Sequence, residues 1–270
     1  MKQYRIGQLA KMMGVSLDFI RFYEQKGLIK ASVDPDNNYH YYDVSQSEII
    51  YKILQYRKLG FNVQETIELI NHADKERLLE MYASRATAHR NSISMSMYAI
   101  RYFEFLQRVL RTKNDTWYIE QAPSIWYLPH TLNDDYLEDT SIQKTFRMWK
   151  DKVPLNFTLD KWIIGSGGEL KAIYHGRAIE CSVAEEFGLK PVEPVEYLPE
   201  RRVLEYYLDY KLTAEFDLEP SIGLSNIQPA LDLIHEKNFV IDGDIFVRLV
   251  TFYMENNYRH NIFVIYIPIA

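Results

Sequence analysis

Apolar positions in the first thirty residues fall into two short helical patterns. Ile6, Leu9, Ala10 and Met13 recur at helical spacing, Gly14 breaks the run, and Ser16 can cap the pattern that follows. In "VSLDFIRFYEQKGLI" (15–29) Val15, Phe19 and Ile20 can close a small core with the first helix, which turns Arg21 and Tyr23 partly outward, and Gly27 ends the second helix. The pair reads as a helix-turn-helix. "KASVDPDNNYHYY" then sets a Pro/Asp/Asn cluster before three tyrosines, as a turn leading into a short hairpin would, and is expected to form a wing. "DVSQSEIIYKILQYRKLGFNVQETIELI" gives two more helices, with Ser45 or Ser47 near the start of the first, a break at Gly60, and Asn62 capping the second.

From Asp74 to Lys113 the chain has neither proline nor glycine, and a 3-4 spacing runs through Leu79, Tyr82, Ala86, His89, Ile93, Ser96, Ile100, Phe103, Gln107 and Leu110. A helix of that length with such a stripe predicts a two-stranded coiled coil with a second chain, ahead of a helix packed on its own second domain. After "TKND" the pattern turns to strands. "WYIEQAPSIWYL" reads as a strand pair or a bulged strand bent at Pro123, "SIQKTFRMWKDK" as a helix, and "KWIIGSGGELKAIYHGRAIECSV" as two strands. "VEYLPERRVLEYYL", "LSNIQPALDLIHEK", "DIFVRLVTFYM" and "RHNIFVIYIPI" repeat that order, so Trp117 to Ala270 is expected to hold a duplicated β-α-β-β unit with a groove between its halves. The expected fold is α+β: an all-α winged helix-turn-helix domain (1–73), an antiparallel coiled-coil dimerisation helix (74–113), and an α+β domain (114–270).

Charge sharpens the division. Up to Lys113 there are 17 Lys+Arg against 12 Asp+Glu, and beyond it 14 against 25, within a chain of net charge −6. The basic first part points to an anionic partner, and Lys2, Arg5, Lys11, Arg21, Lys26, Lys30, Arg57 and Lys58 would meet DNA phosphates while the second helix enters the major groove. One cysteine, Cys181, excludes an internal disulfide and leaves thiolate metal centres and Fe–S clusters without ligands, so no metal or cofactor is expected. No apolar run reaches the length of a membrane span and no signal core opens the chain, which points to the cytoplasm.

The first 113 residues resemble the MerR family of transcriptional regulators. "RFYEQKGLI" is close to that family's R-Y-Y-E-x-x-G-L-I, "DPDNNYHYY" to its wing, and "YRKLGFNVQETIELI" to the stretch before its dimerisation helix. On this resemblance Arg21 and Tyr23 match recognition-helix contacts, Tyr39 and Tyr41 the wing, and Arg57 a phosphate contact. His40 stands where the wing arginine is usual and Phe22 where the first tyrosine is usual; with Ser16 these complete the expected DNA-binding residues. The resemblance implies a dimer on a pseudo-palindromic promoter that alters the DNA and so acts on RNA polymerase indirectly.

The region from Trp117 is similar in layout to the gyrase-inhibitor-like effector domain of the BmrR and TipA type of multidrug regulator. It is rich in aromatics, which with an acid suit flat hydrophobic cations. Glu120 and Glu205 lie within apolar strand runs and are candidate counter-charges, with Trp126, Tyr206 and Phe246 as candidate walls. Tyr258 matches a pocket tyrosine of that type, whereas Val247 aligns where that type carries its pocket glutamate, which admits neutral aromatic ligands beside cations. No Gly-x-Ser-x-Gly, phosphate loop or His-Glu-x-x-His is present, and "SGGE" reads as a hairpin turn, so a non-enzymatic regulator is expected. A ligand-scavenging binding protein and a ligand-hydrolysing effector domain are the alternatives.

Overall fold

The computed structural model describes residues 3–36, 38–133, 135–213 and 222–270, and divides into two compact units, Met1–Ser92 and Ile93–Ala270. The first unit runs β1 (Tyr4–Arg5), α1 (Ile6–Met13), α2 (Leu17–Gln25), β2 (Ser32–Val33), β3 (His40–Tyr42), α3 (Ser45–Lys58) and α4 (Val63–Asn71). Left-handed Gly14 (φ 65°) stops α1 with its N–H on the carbonyl of Ala10, and Ser16 Oγ accepts the Phe19 N–H at 3.0 Å to start α2. Helix α3 starts at Ser45, one of the two serines expected near its start, and the Asp43 carboxylate accepts the Ser45 N–H at 2.8 Å. Asn62 caps α4 in a reciprocal box with Glu65, at 2.9 and 2.6 Å. Leu9, Ile20, Tyr42, Ile50 and Ile53 fill the core beneath these helices. The expected hairpin of β2 and β3 gains a third strand, since Tyr4 and Arg5 pair with Tyr42 and Tyr41.

Helix α5 (Lys75–Arg111) spans 37 residues and contributes to both units. Within the first unit Met81 joins Phe61 and Leu69, the Tyr82 and Tyr56 hydroxyls meet at 2.9 Å, Arg85 donates to Glu65 at 2.7 Å, and His89 Nε2 lies 2.9 Å from the Leu59 carbonyl. Tyr82 and His89, expected in the seam with a second chain, are therefore engaged within their own unit. In the second unit Tyr98, Tyr102, Phe105 and Val109 pack inward, while Ile93, Ile100, Phe103 and Leu110 stay exposed.

The second unit continues with β4 (Trp117–Ala122), β5 (Ile125–Leu132), β6 (Asp135–Tyr136), α6 (Thr140–Lys150), β7 (Phe157–Ile164), β8 (Leu170–Glu180), α7 (Cys181–Glu186), β9 (Glu196–Leu198), β10 (Arg201–Thr213), α8 (Gln228–Glu236), β11 (Ile245–Glu255) and β12 (Tyr258–Pro268). The two expected repeats are β5-α6-β7-β8 and β10-α8-β11-β12. Described strands form one antiparallel sheet in the order β4-β10-β12-β11-β7-β8-β5-β6, with β9 on β5. The repeats meet where Phe246 and Val247 of β11 pair with Lys161 and Asp160 of β7. Each repeat lends its short leading strand to the other: β4 lies on β10 and β9 on β5. Pro123 and Pro199 follow these short strands.

Alternation along the long strands separates two faces. Leu204, Tyr206, Leu208, Val247, Ile265 and Ile267 are buried beneath Ala230 and Ile234 of α8. Glu205, Tyr207, Phe246, Arg248 and Tyr266 take the alternate positions, the face on which Phe105 and Val109 of α5 pack against Tyr207 and Val264. No helix among the described residues is long and apolar enough to cross a membrane.

Candidate functional site

The solvent face of α2 follows its period. Leu17, Asp18, Arg21, Phe22 and Gln25 are exposed, whereas Ile20 and Tyr23, three residues apart, point to the core. Tyr23, expected partly outward, is only 4% exposed, so its ring packs the unit rather than offering a free surface. Burial raises its hydroxyl pKa, with the nearby Arg57 charge opposing. Arg21 is free enough to reach a partner: among the described residues its one ion pair, with Asp18 at 3.5 Å, joins two exposed side chains and is weak. Phe22 is 39% exposed, with the Lys26 ammonium 5.7 Å from its ring centre.

The wing is tied to this helix by a residue that sequence reasoning passed over. Glu24 accepts the Tyr42 hydroxyl at 3.0 Å through one oxygen and meets His40 Nδ1 at 2.8 Å through the other. His40 thus braces the wing against α2. Tyr39 is exposed beneath the Arg5 guanidinium, 5.1 Å from its ring centre, and Tyr41 is half-buried. Arg57 is exposed on α3, and one of its Nη atoms donates to the Phe61 carbonyl at 2.6 Å. Arg5, Lys11, Lys26, Lys30 and Lys58 are exposed as well, and Lys2 lies outside the described residues. Exposed Arg21 and Phe22 on α2, Tyr39 on the wing and Arg57 on α3 make a basic and aromatic set on short, well-capped elements, which is what backbone contacts to a duplex require.

A second candidate site lies wholly within the second unit. A cavity of about 370 Å³ opens between the sheet face described above and α5, with Tyr98, Tyr102 and Phe105 on the helix side and Phe157, Glu205, Phe246, Arg248 and Tyr266 on the sheet side. Of the residues singled out from sequence, Glu120, Glu205 and Phe246 line it. Trp126, Tyr206 and Tyr258 do not. Trp126 packs near Tyr197 at 5.1 Å, and Tyr206, on the α8 face, donates its hydroxyl to Asp115, which with burial raises its pKa. Tyr258 sits at the β11–β12 turn with Lys211 3.8 Å from its ring centre. Val247 also points away, into the α8 core, and its neighbour Arg248 enters the cavity instead.

Glu205 is 7% exposed and accepts a hydrogen bond from the Tyr207 hydroxyl, whose pKa burial and that bond raise. Opposite Glu205 on β12 is Tyr266, pushed up to about 12 by burial while Arg248 opposes the rise. Arg248 comes from an otherwise apolar strand, "DIFVRLV", and a lone arginine in such a run was the available signal. Phe105 and Phe157 carried none. Among the described residues no group of histidine, cysteine or carboxylate side chains is arranged to hold a metal ion.

Comparison with known proteins finds relatives of the first unit. Residues 4–73 match the family model for the MerR HTH family regulatory protein. The HTH-type transcriptional regulator CueR of Escherichia coli O6:H1 is 36% identical over 66 residues, 24% of this chain and 49% of CueR. The nodulation protein NolA of Bradyrhizobium elkanii is 31% identical over 100 residues, 34% of this chain and 46% of NolA. The chain spans about half the length of the curated relatives it matches. A cryo-EM structure of the EcmrR–DNA complex covers 98% of this chain and 99% of its own at 14% identity, with a TM-score of 0.39. The MerR match stops where α5 begins, so the cavity falls outside it.

Proposed function

We propose that the chain is a ligand-responsive transcriptional regulator of the MerR type, working in the cytoplasm as a dimer on a pseudo-palindromic promoter. The observation that carries this reading is the MerR match over 4–73, on a unit whose exposed α2 face and braced wing hold Arg21, Phe22 and Tyr39 outward. Ser16 contributes as the cap that starts α2, Arg57 as a phosphate contact, and Tyr23 as the packing that holds the helix. The exposed outer stripe of α5, with Ile93 at 63% and Phe103 at 60%, supports pairing with a second copy in an antiparallel coiled coil, because isolated helices do not keep such a stripe in water. The domains of this reading are 1–73 for DNA, 74–113 for pairing and 114–270 for the effector.

The cavity of the second unit binds an aromatic small molecule, in the manner of a multidrug sensor. Occupancy shifts the protein between two states that hold the DNA differently, and RNA polymerase reads the distortion without being touched by the ligand. The energy for that shift is the ligand's differential affinity for the two states.

Selection of bound duplexes from a random DNA pool by the purified full chain tests the reading. Enrichment of inverted repeats at a fixed spacing is the expected result. Retention of all sequences alike, with affinity falling steeply in salt, would leave only a non-specific cationic surface and would remove the promoter assignment.

A further inference from the structure

The charges on the cavity wall do not describe a pocket for cations. Arg101, Arg108, Arg201 and Arg248 line it with Glu120, Glu180 and Glu205, so arginines outnumber carboxylates. Several of these charges already have partners. Arg101 is paired with Glu186 at 2.7 Å, and one oxygen of Glu205 accepts the Tyr207 hydroxyl. Arg248 is different. It is 7% exposed, its polar partner in the cavity is the Tyr266 hydroxyl rather than a carboxylate, it forms no ion pair among the described residues, and its Nε has no hydrogen-bond partner.

Two phenyl rings hold this guanidinium in place. Its Cζ lies 3.8 Å from the ring centre of Phe157 and 4.6 Å from that of Phe105, one ring from β7 and the other from α5. Cation–π contacts occupy the faces of a guanidinium and leave its in-plane N–H groups for an acceptor. A buried cation without an anion is costly, and a planar bidentate acceptor at its edge is the geometry that relieves the cost. A cation, by contrast, would have Glu120, Glu180 and the second oxygen of Glu205 to meet, but on this wall it would sit in the field of four arginines, Arg248 among them with no carboxylate paired to it.

We propose that the cavity takes an aromatic acid: a flat ring system lying against Phe246, Tyr98 and Tyr102, with its carboxylate on Arg248. This rests on the reading of the cavity as the effector site and narrows it to a ligand of negative charge.

The test uses three probes of one shape on the full-length chain: 1-naphthoate, neutral 1-naphthylmethanol, and 1-naphthylmethylammonium, titrated calorimetrically at one ionic strength. Naphthoate is expected to bind at least tenfold more tightly than either of the others, and R248M to bring it down to the level of the alcohol. R248K keeps the charge without the fork and is expected to retain the order with a several-fold weaker naphthoate. If the ammonium binds best and R248M leaves it no weaker, the aromatic-acid assignment is wrong while the effector site stands. If the three probes bind equally, charge recognition by Arg248 is likewise overturned. If none binds, the effector reading of the cavity falls with it. The ranking on the unaltered chain decides the matter even if R248M does not fold.

Discussion

Arg21 and Tyr23 are two positions apart on one helix, and its period sends them to opposite environments: Arg21 to solvent, Tyr23 to the core with Ile20. Their substitutions should therefore separate. Arg21→Ala is expected to leave urea unfolding unchanged, to weaken binding to every duplex, and to lower the salt slope by about 1. Tyr23→Ala is expected to cost about 3 kcal/mol or more in unfolding free energy, as large-to-small core truncations do. If Arg21→Ala unfolds the chain and Tyr23→Ala only weakens DNA binding, the orientation of α2 is wrong. The available signal was that Tyr23 lies one turn from Ile20. Taking Val15, Phe19 and Ile20 as the whole apolar side of the helix turned Tyr23 outward, and the family resemblance then made it a contact; the helix makes it a support. His130 gives a second residue-scale expectation. Burial and the charges of Arg177 and His175 hold its pKa below the ordinary 6.5, and its ring packs against Phe146 at 4.8 Å. The unfolded chain then binds a proton more readily than the folded one, so this contribution to stability is present above about pH 6.5 and is lost as pH falls through the lower folded value. His130→Gln should flatten the slope of unfolding free energy between pH 7.5 and 5; an unchanged slope would assign the acid sensitivity to other groups.

Elements whose partners are local were legible, and those whose partners are distant were not. Helices α1 to α5 and the two β-α-β-β repeats follow from period, caps and the recurrence of a proline after a short apolar run. The exchange of β4 and β9 between repeats was hidden, because nothing in a strand's own residues states which edge it will join across about 70 to 90 positions. The same limit explains the cavity. Glu205 and Phe246 stood out as residues, but Phe105, Phe157 and Arg248 lie on three elements that only the fold brings together. Helix α5 shows how one element divides its faces. Tyr98, Tyr102, Phe105 and Val109, at spacings of four, three and four, pack inward, and Ile93, Ile100 and Phe103 remain outside. Ile100→Glu should therefore leave the unit folded and turn a dimer into a monomer in sedimentation equilibrium, with DNA affinity falling as the second half-site is lost. A variant that still sediments as a dimer would place the pairing surface elsewhere.

At the scale of the whole molecule, regulation requires that the cavity in one unit and the DNA surface in the other bias the same equilibrium. Among the described residues, helix α5 is the one helix that supplies core residues to both, Met81 to the first and Tyr98 to the second. It also supplies Tyr98, Tyr102 and Phe105 to the cavity wall, so a ligand there would touch the element that continues into the first unit. Such a coupling is reciprocal by thermodynamic necessity: whatever factor the ligand imposes on DNA affinity, DNA imposes on ligand affinity. The expected factor is about 5 to 150, the usual range for coupled sites. It is measured by titrating naphthoate into the full chain with and without a duplex recovered by selection, and that duplex into the chain with and without saturating naphthoate. Equal factors above one, or equal factors below one, are the expected result and would also give the sign of the effect on DNA affinity. A factor of one in both directions would mean that promoter affinity does not sense the filled cavity. The ligand could then act on transcription only by changing the shape of the bound DNA, which distortion-sensitive footprinting of the same complex, with and without naphthoate, reads directly.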